Sequence, residues 1–108
     1  MPSKQIINIV ATQCQPVDEA KFDKWYNEVH IPMLMKSKHL KGVTRYKSIS
    51  EASKSPRYIA IYKYASIDDF NAFNKSAELA AALKEMGESW GNKVELMSRI
   101  QYELIKEF

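Results

Sequence analysis

The sequence is poor in several residue types, and each shortage removes a class of protein. There is one cysteine, Cys14, so no internal disulfide forms, and the partner spacings of a thiolate metal site are missing. There are two histidines, His30 and His39, too few for several ligands to converge on a metal. Three glycines leave no Gly-rich loop to cradle a phosphate, and neither a Gly-x-Ser-x-Gly nor a paired-cysteine pattern occurs. No metal and no cofactor are therefore expected. Long hydrophobic runs are lacking too. The stretch from Ile31 to Met35 has Pro32 inside it and falls far short of the about 20 apolar residues that cross a bilayer, so no membrane partner is expected. Near the start, Gln5 and Asn8 interrupt Ile6, Ile7, Ile9 and Val10, and no small-residue cleavage site follows. That pattern argues against a signal peptide and for a cytoplasmic protein.

Charge is not concentrated either. Sixteen Lys and Arg against 13 Asp and Glu leave a net +3. The densest basic group, Lys36, Lys38, His39 and Lys41, alternates with Met35, Ser37 and Leu40 at the end of an expected helix, where lysines favour the negative end of the helix dipole. It is not the basic, aromatic-laced stripe that tracks phosphates, so no nucleic-acid partner is expected, and His39 reads as a solvated surface residue. What is present is the balance of one globular domain over residues 1–108, with 45% hydrophobic and 27% charged residues.

Periodicity supplies the elements. Gln5 to Gln13 is a β-branched run of strand length, and Pro16-Val17-Asp18-Glu19 marks a switch toward helix. Phe22, Trp25, Tyr26 and Val29 then recur at i, i+3, i+4 and i+7, predicting an amphipathic helix with an aromatic face. Pro32 predicts a bend near His30 and a restart through Met33 to Lys38. Gly42 opens a second strand and Arg57 to Tyr64 a third, joined as a hairpin across the polar break Glu51 to Pro56. Ser66 with Asp69 fits a helix-starting pattern, and Phe70, Phe73, Ala77, Ala80 and Leu83 continue it as one helix closed by Gly87 and Gly91. Val94 to Glu107 reads as a fourth strand with Leu96, Ile100, Tyr102 and Leu104 as one alternating apolar set.

The order β-α-β-β-α-β predicts an α+β, ferredoxin-like fold: a four-stranded antiparallel sheet with two main helices on one face. Residues 8–12 and 17–19 echo 58–62 and 67–69 at a common offset of fifty, as if the two halves were related. The strands do not alternate cleanly between apolar and polar. Both sets on the first strand carry Ile or Val, and the third sets Tyr58, Ala60, Tyr62 and Tyr64 against Ile59 and Ile61. An open face bearing tyrosines and aliphatics exceeds the apolar patch a monomer tolerates, which predicts a homodimer packed sheet to sheet.

Helix one and its exit read Phe22-x-x-Trp25-Tyr26-x-x-x-His30-x-Pro32, followed by Leu40-Lys41-Gly42-Val43-x-Arg45-Tyr46. Here the sequence resembles the EthD-like family, named for ethyl tert-butyl ether degradation, within the dimeric α/β-barrel superfamily. The matching positions are Tyr26, His30, Pro32, Gly42, Val43 and Tyr46. The resemblance implies a βαββαβ subunit, a homodimer through the sheets, and a cavity between sheet and helices. It also implies a small organic ligand, in a setting of ether degradation beside an oxygenase system or of metal-free decarboxylation or dehydration. It does not choose a reaction. Haem-degrading monooxygenases of the same superfamily invite comparison through Asn8 and Trp90, but they place an axial histidine on helix two, and none stands between Ser66 and Asn92.

His30, four residues after Tyr26, projects from the same side of helix one. An imidazole beside aromatics suits proton transfer near neutral pH, so His30 is the candidate general base, with Tyr46 or Tyr62 donating to a developing oxyanion. The other reading of His30 is a cap that bonds backbone carbonyls at the bend. Trp25, Tyr26, Phe22, Phe73 and Trp90 are candidates to line a slot for a flat ligand, or to form the core. Two functions remain open: cofactor-free acid/base chemistry on an apolar or aromatic metabolite, and non-catalytic binding or carriage for an oxygenase.

Overall fold

The computed structural model describes residues 4–50 and 56–108. The β-branched run forms β1 (Ile6–Cys14), and a 3-10 turn at Pro16–Asp18 leads into α1 (Glu19–Trp25). The backbone then stays helical through a π turn (Tyr26–His30) and α2 (Ile31–Leu34). The expected bend and restart to Lys38 are thus replaced by one continuous helix that ends at Leu34. The cause is Pro32, which lacks an N–H and whose ring would collide with the Glu28 carbonyl of a tight α turn. Widening the turn by one residue removes the collision, and the Ile31 N–H donates to the Tyr26 carbonyl five residues back.

Strands β2 (Gly42–Lys47) and β3 (Tyr58–Tyr64) pair antiparallel as the expected hairpin. Of the polar break between them, residues 51–55 lie outside the described residues. The single helix expected next is two, α3 (Ile67–Asn74) and α4 (Ala77–Trp90). Ser76 divides them. Its Oγ donates to the Phe73 carbonyl at 2.7 Å and accepts from the Leu79 N–H at 3.1 Å, which ends one helix and caps the next. Ser66 caps α3 as its pattern predicts, accepting from the Asp69 N–H at 3.1 Å. Gly87 lies inside α4, and Gly91, at φ 55°, ends it.

β4 (Val94–Glu103) completes an antiparallel sheet of order β2-β3-β1-β4, the ferredoxin-like α+β arrangement. The echo at an offset of fifty has a structural counterpart: Val10 and Ala60, fifty apart, are paired, with Asn8↔Tyr62 and Thr12↔Tyr58 symmetric about them. On β4 the register shifts between Ala11 and Thr12. Ser98 faces Ala11 and Leu96 faces Thr12, so Met97 is an unpaired bulge residue. The bulge corrects the expected alternating set, because Leu96 shares the Thr12 face while Ile100 and Tyr102 share the Ile7 and Ile9 face.

The helices cover the face carrying Ile6, Asn8, Val10, Tyr62 and Tyr64. The core between them includes Phe22, Tyr26, Leu34, Phe73 and Ala82. The β3 tyrosines therefore point inward, not onto the open face. Tyr64 meets Phe70 and Phe73 at centroid distances of 5.1 and 5.5 Å, and Tyr62 meets Tyr26. The open face instead carries Ile9 between Ile61 and Ile100, with Ile7 and Ile59 beside them and Tyr46 and Tyr102 toward the edges. Both sets on β1 and β3 are apolar enough to be buried, so alternation alone does not say which meets the helices.

Candidate ligand cavity

A cavity of about 170 Å³ lies between the sheet and the helices. Its floor is buried: Asn8 and Tyr62 from the sheet, Tyr26 and His30 from the π turn, and Phe73 from α3. Leu79, Leu83 and Met86 of α4 form a greasy wall, and the mouth is rimmed by the exposed Leu83, Leu96 and Arg99. The helix-face residues of β4 are left uncovered there, because α4 packs over α2.

The π turn sets the geometry of the floor. It brings Tyr26 and His30 onto the sheet side, where both are buried, with ring centroids 4.9 Å apart in an edge contact. Trp25 stacks on the imidazole at 4.9 Å, and its indole N–H donates to Glu85 Oε1 at 2.9 Å. Neither ring nitrogen of His30 makes a hydrogen bond among the described residues, and Nδ1 is fully buried. Removal from water pushes its pKa down from 6.5 to about 4, opposed by the nearby Glu85 carboxylate, so the imidazole is neutral at pH 7.

The hydroxyls of Tyr26 and Tyr62 are hydrogen-bonded to each other. Burial raises both pKa values, Tyr62 well above the ordinary range. The Arg45 guanidinium lies 4.4 Å over the Tyr26 ring, held by Asp23 at 2.7 Å and Asn27 at 2.8 Å, and favours the ionised form. Either hydroxyl can donate in that bond, and the pair keeps one O–H proton for a ligand. Tyr64 is pushed up to about 12, chiefly by burial, and Gln101 donates to the neighbouring Asn8 Oδ1 at 2.8 Å.

Of the candidates named from the sequence, His30, Tyr26, Tyr62 and Phe73 come together on the cavity. Trp25 and Trp90 stand behind it, packed on Phe22 at 5.7 and 5.3 Å, and act on the site through His30 and the core. Tyr46 is 53% exposed on the open face of β2, opposite Ile59, and does not touch the cavity. His39 departs from the solvated surface residue expected: it is half-buried with Nδ1 2.9 Å from Asp69 Oδ1, because the start of α3 folds under its turn. Cys14 is a free, half-buried thiol whose pKa is raised by desolvation and by Glu19 and Asp18. Sequence reasoning missed Asn8 as a floor residue, and Tyr64, Met86 and Arg99 as lining. A polar residue between Ile6 and Val10 on one strand face was the available signal for Asn8. Arg99 had none, since a bulge is not legible in an alternation pattern.

Residues 5–104 match a family model described as a domain of unknown function, DUF4286. The chain belongs to the DUF4286 family. No curated protein matches the sequence. The fold of this chain is similar to that of a number of solved structures of low sequence identity, among them the following. An ethyl tert-butyl ether degradation (EthD) family protein from Bacillus halodurans has a TM-score of 0.69 at 17% identity, over 94% of this chain and 99% of that one. HapK from Hahella chejuensis has a TM-score of 0.74 at 12% identity over 95% of each chain. A dimeric ferredoxin-like protein of unknown function from Thermobifida fusca has a TM-score of 0.60 at 14% identity, over 94% of this chain and 91% of that one. The resemblance to the EthD-like family carried by Tyr26, His30, Pro32, Gly42, Val43 and Tyr46 thus extends to the fold. No helix of the described residues is long and apolar enough to cross a membrane.

Proposed function

We propose that this DUF4286 chain binds a small, largely apolar or aromatic organic molecule in the cavity, works as a cytoplasmic homodimer joined through the open sheet faces, and uses His30 as a general base. The observation that carries the reading is a neutral, buried imidazole with no hydrogen-bond partner among the described residues, lining a greasy cavity beside a pair of tyrosine hydroxyls. A group in that state is free to act on a ligand.

For a ligand with a carbonyl, the step is proton abstraction beside it. The C–H bond breaks as the imidazole takes the proton, its electron pair forms the C=C bond of an enolate, the C=O π pair moves onto the carbonyl oxygen, and the Tyr62 O–H donates a hydrogen bond to that oxygen. The imidazolium that forms is stabilised by the Trp25 ring face and by the Glu85 charge. Decarboxylation or dehydration of such a ligand uses the same groups. Dimerisation is supported by the isoleucine face described above and by the dimeric relative of similar fold.

A second reading, a non-catalytic carrier serving an oxygenase system, is favoured by the low basicity of His30 and the mainly apolar lining. Turnover of a panel of phenolic and β-keto compounds separates the two, with His30→Ala as the control. Catalysis predicts product from the parent protein and none from the variant. Ligands that raise the parent's melting temperature without any turnover select the carrier.

A further inference from the structure

We infer that the cavity takes a small organic monocarboxylate, with Arg99 at the mouth holding the carboxylate and a body about the size of one six-membered ring filling the interior. This deepens the cavity reading above and rests on it.

The first support is the bulge. Leu96 and Arg99 are three residues apart and in a regular strand would face opposite sides of the sheet. The unpaired Met97 cancels one alternation, so both face the cavity, Leu96 opposite Thr12 and Arg99 opposite Val10. Bulges re-aim side chains in this way beside functional sites.

The second is the state of the charge. The chain's other two arginines are engaged, Arg45 with Asp23 at 2.7 Å and Arg57 with Glu19 at 2.8 Å. Among the described residues Arg99 makes no ion pair and is the one charged side chain of the cavity lining, since His30 is neutral at pH 7. Its guanidinium is close enough to the buried Tyr64 hydroxyl to favour that group's ionised form, so the charge is felt on the floor as well as at the rim. A fork of N–H donors with no acid of its own matches a carboxylate. A dianion would need a second cation, and the described residues of the lining supply none.

The third is size. An aliphatic cavity of about 150 Å³ holds a benzene molecule, and this one measures about 170 Å³. A ring-sized body inside leaves its acid group at the mouth, and its far end against the Tyr26–Tyr62 pair and His30.

Phenylacetate and its neutral isostere phenylacetamide are the probes, titrated calorimetrically into the parent protein and into Arg99→Gln and Arg99→Lys. Phenylacetate is expected to bind the parent about tenfold tighter than phenylacetamide. Arg99→Gln should abolish that preference without weakening the amide, Arg99→Lys should keep part of it, and added salt should weaken phenylacetate alone. The salt series on the parent keeps the test decisive if a variant fails to fold. Equal binding of the two probes, or a preference that survives in Arg99→Gln, overturns the anchor and leaves the cavity reading standing. Failure of both probes to bind overturns both.

Discussion

Acidification is expected to unfold this protein through His30 more than through its surface carboxylates. The perturbation is a change from pH 7.5 to pH 4, compared between the parent and His30→Phe, which keeps a ring against Trp25 and Tyr26 but cannot titrate. Above pH 6.5 the imidazole is neutral in both folded and unfolded chains and contributes no pH dependence. Below that, the unfolded chain takes a proton that the native one, with its pKa near 4, does not. The unfolded state binds more protons, so stability falls as pH falls, by about 1.4 kcal/mol for each pH unit in that window. The loss is complete below the native pKa and reaches about 3 kcal/mol, a large share of an ordinary domain's stability. Urea midpoints at fixed protein concentration read it directly. At pH 7.5 the two proteins should differ little, because the Phe ring also removes a buried, unpartnered nitrogen. As the pH falls, the variant should become the more stable by the amount above. Parallel pH profiles for the two proteins would falsify the burial argument, and an imidazole titrating near 6.5 by NMR would do the same.

Four further outcomes follow from the same geometry. Tyr62→Phe leaves the buried Tyr26 hydroxyl without its partner and should cost about 1–2 kcal/mol, while Tyr26→Phe combined with it should cost less than the sum of the singles; an additive double-mutant cycle is the contrary result. Ser76→Ala removes the cap at the start of α4 and should lower stability by about 1 kcal/mol in a thermal melt, with an unchanged melt speaking against Ser76 as the divider. Ile61→Lys places a charge in the middle of the open face, so sedimentation should show a dimeric parent and a monomeric variant; a parent that is monomeric at micromolar concentration removes the dimer. Glu85→Gln frees His30 of the carboxylate that favours its charged form, and the imidazole pKa, followed by NMR, should move still lower; an upward shift contradicts the assigned geometry.

The order of elements was written in the chain, because period-two runs and the Phe22, Trp25, Tyr26, Val29 spacing report local backbone geometry, which each segment dictates for itself. So was the pairing of Tyr26 with His30, which one helical turn carries onto one side. What tertiary contacts decided is where the side chains ended up. The tyrosines and isoleucines of β3 are both apolar enough to bury, and only packing against the helices, Tyr62 on Tyr26 and Tyr64 on Phe70 and Phe73 of α3, turned the tyrosines inward. Tyr46, named with Tyr62 as a donor, sits on the opposite face because it falls on the other register of a paired strand. The Met97 bulge reset β4 and brought Arg99 to the cavity, since a strand's alternation is broken by its partner's register and not by its own residues. The low pKa of His30 is likewise a property of enclosure: the residue supplies the imidazole, and the sheet, the helices and Trp25 remove the water that would keep it basic.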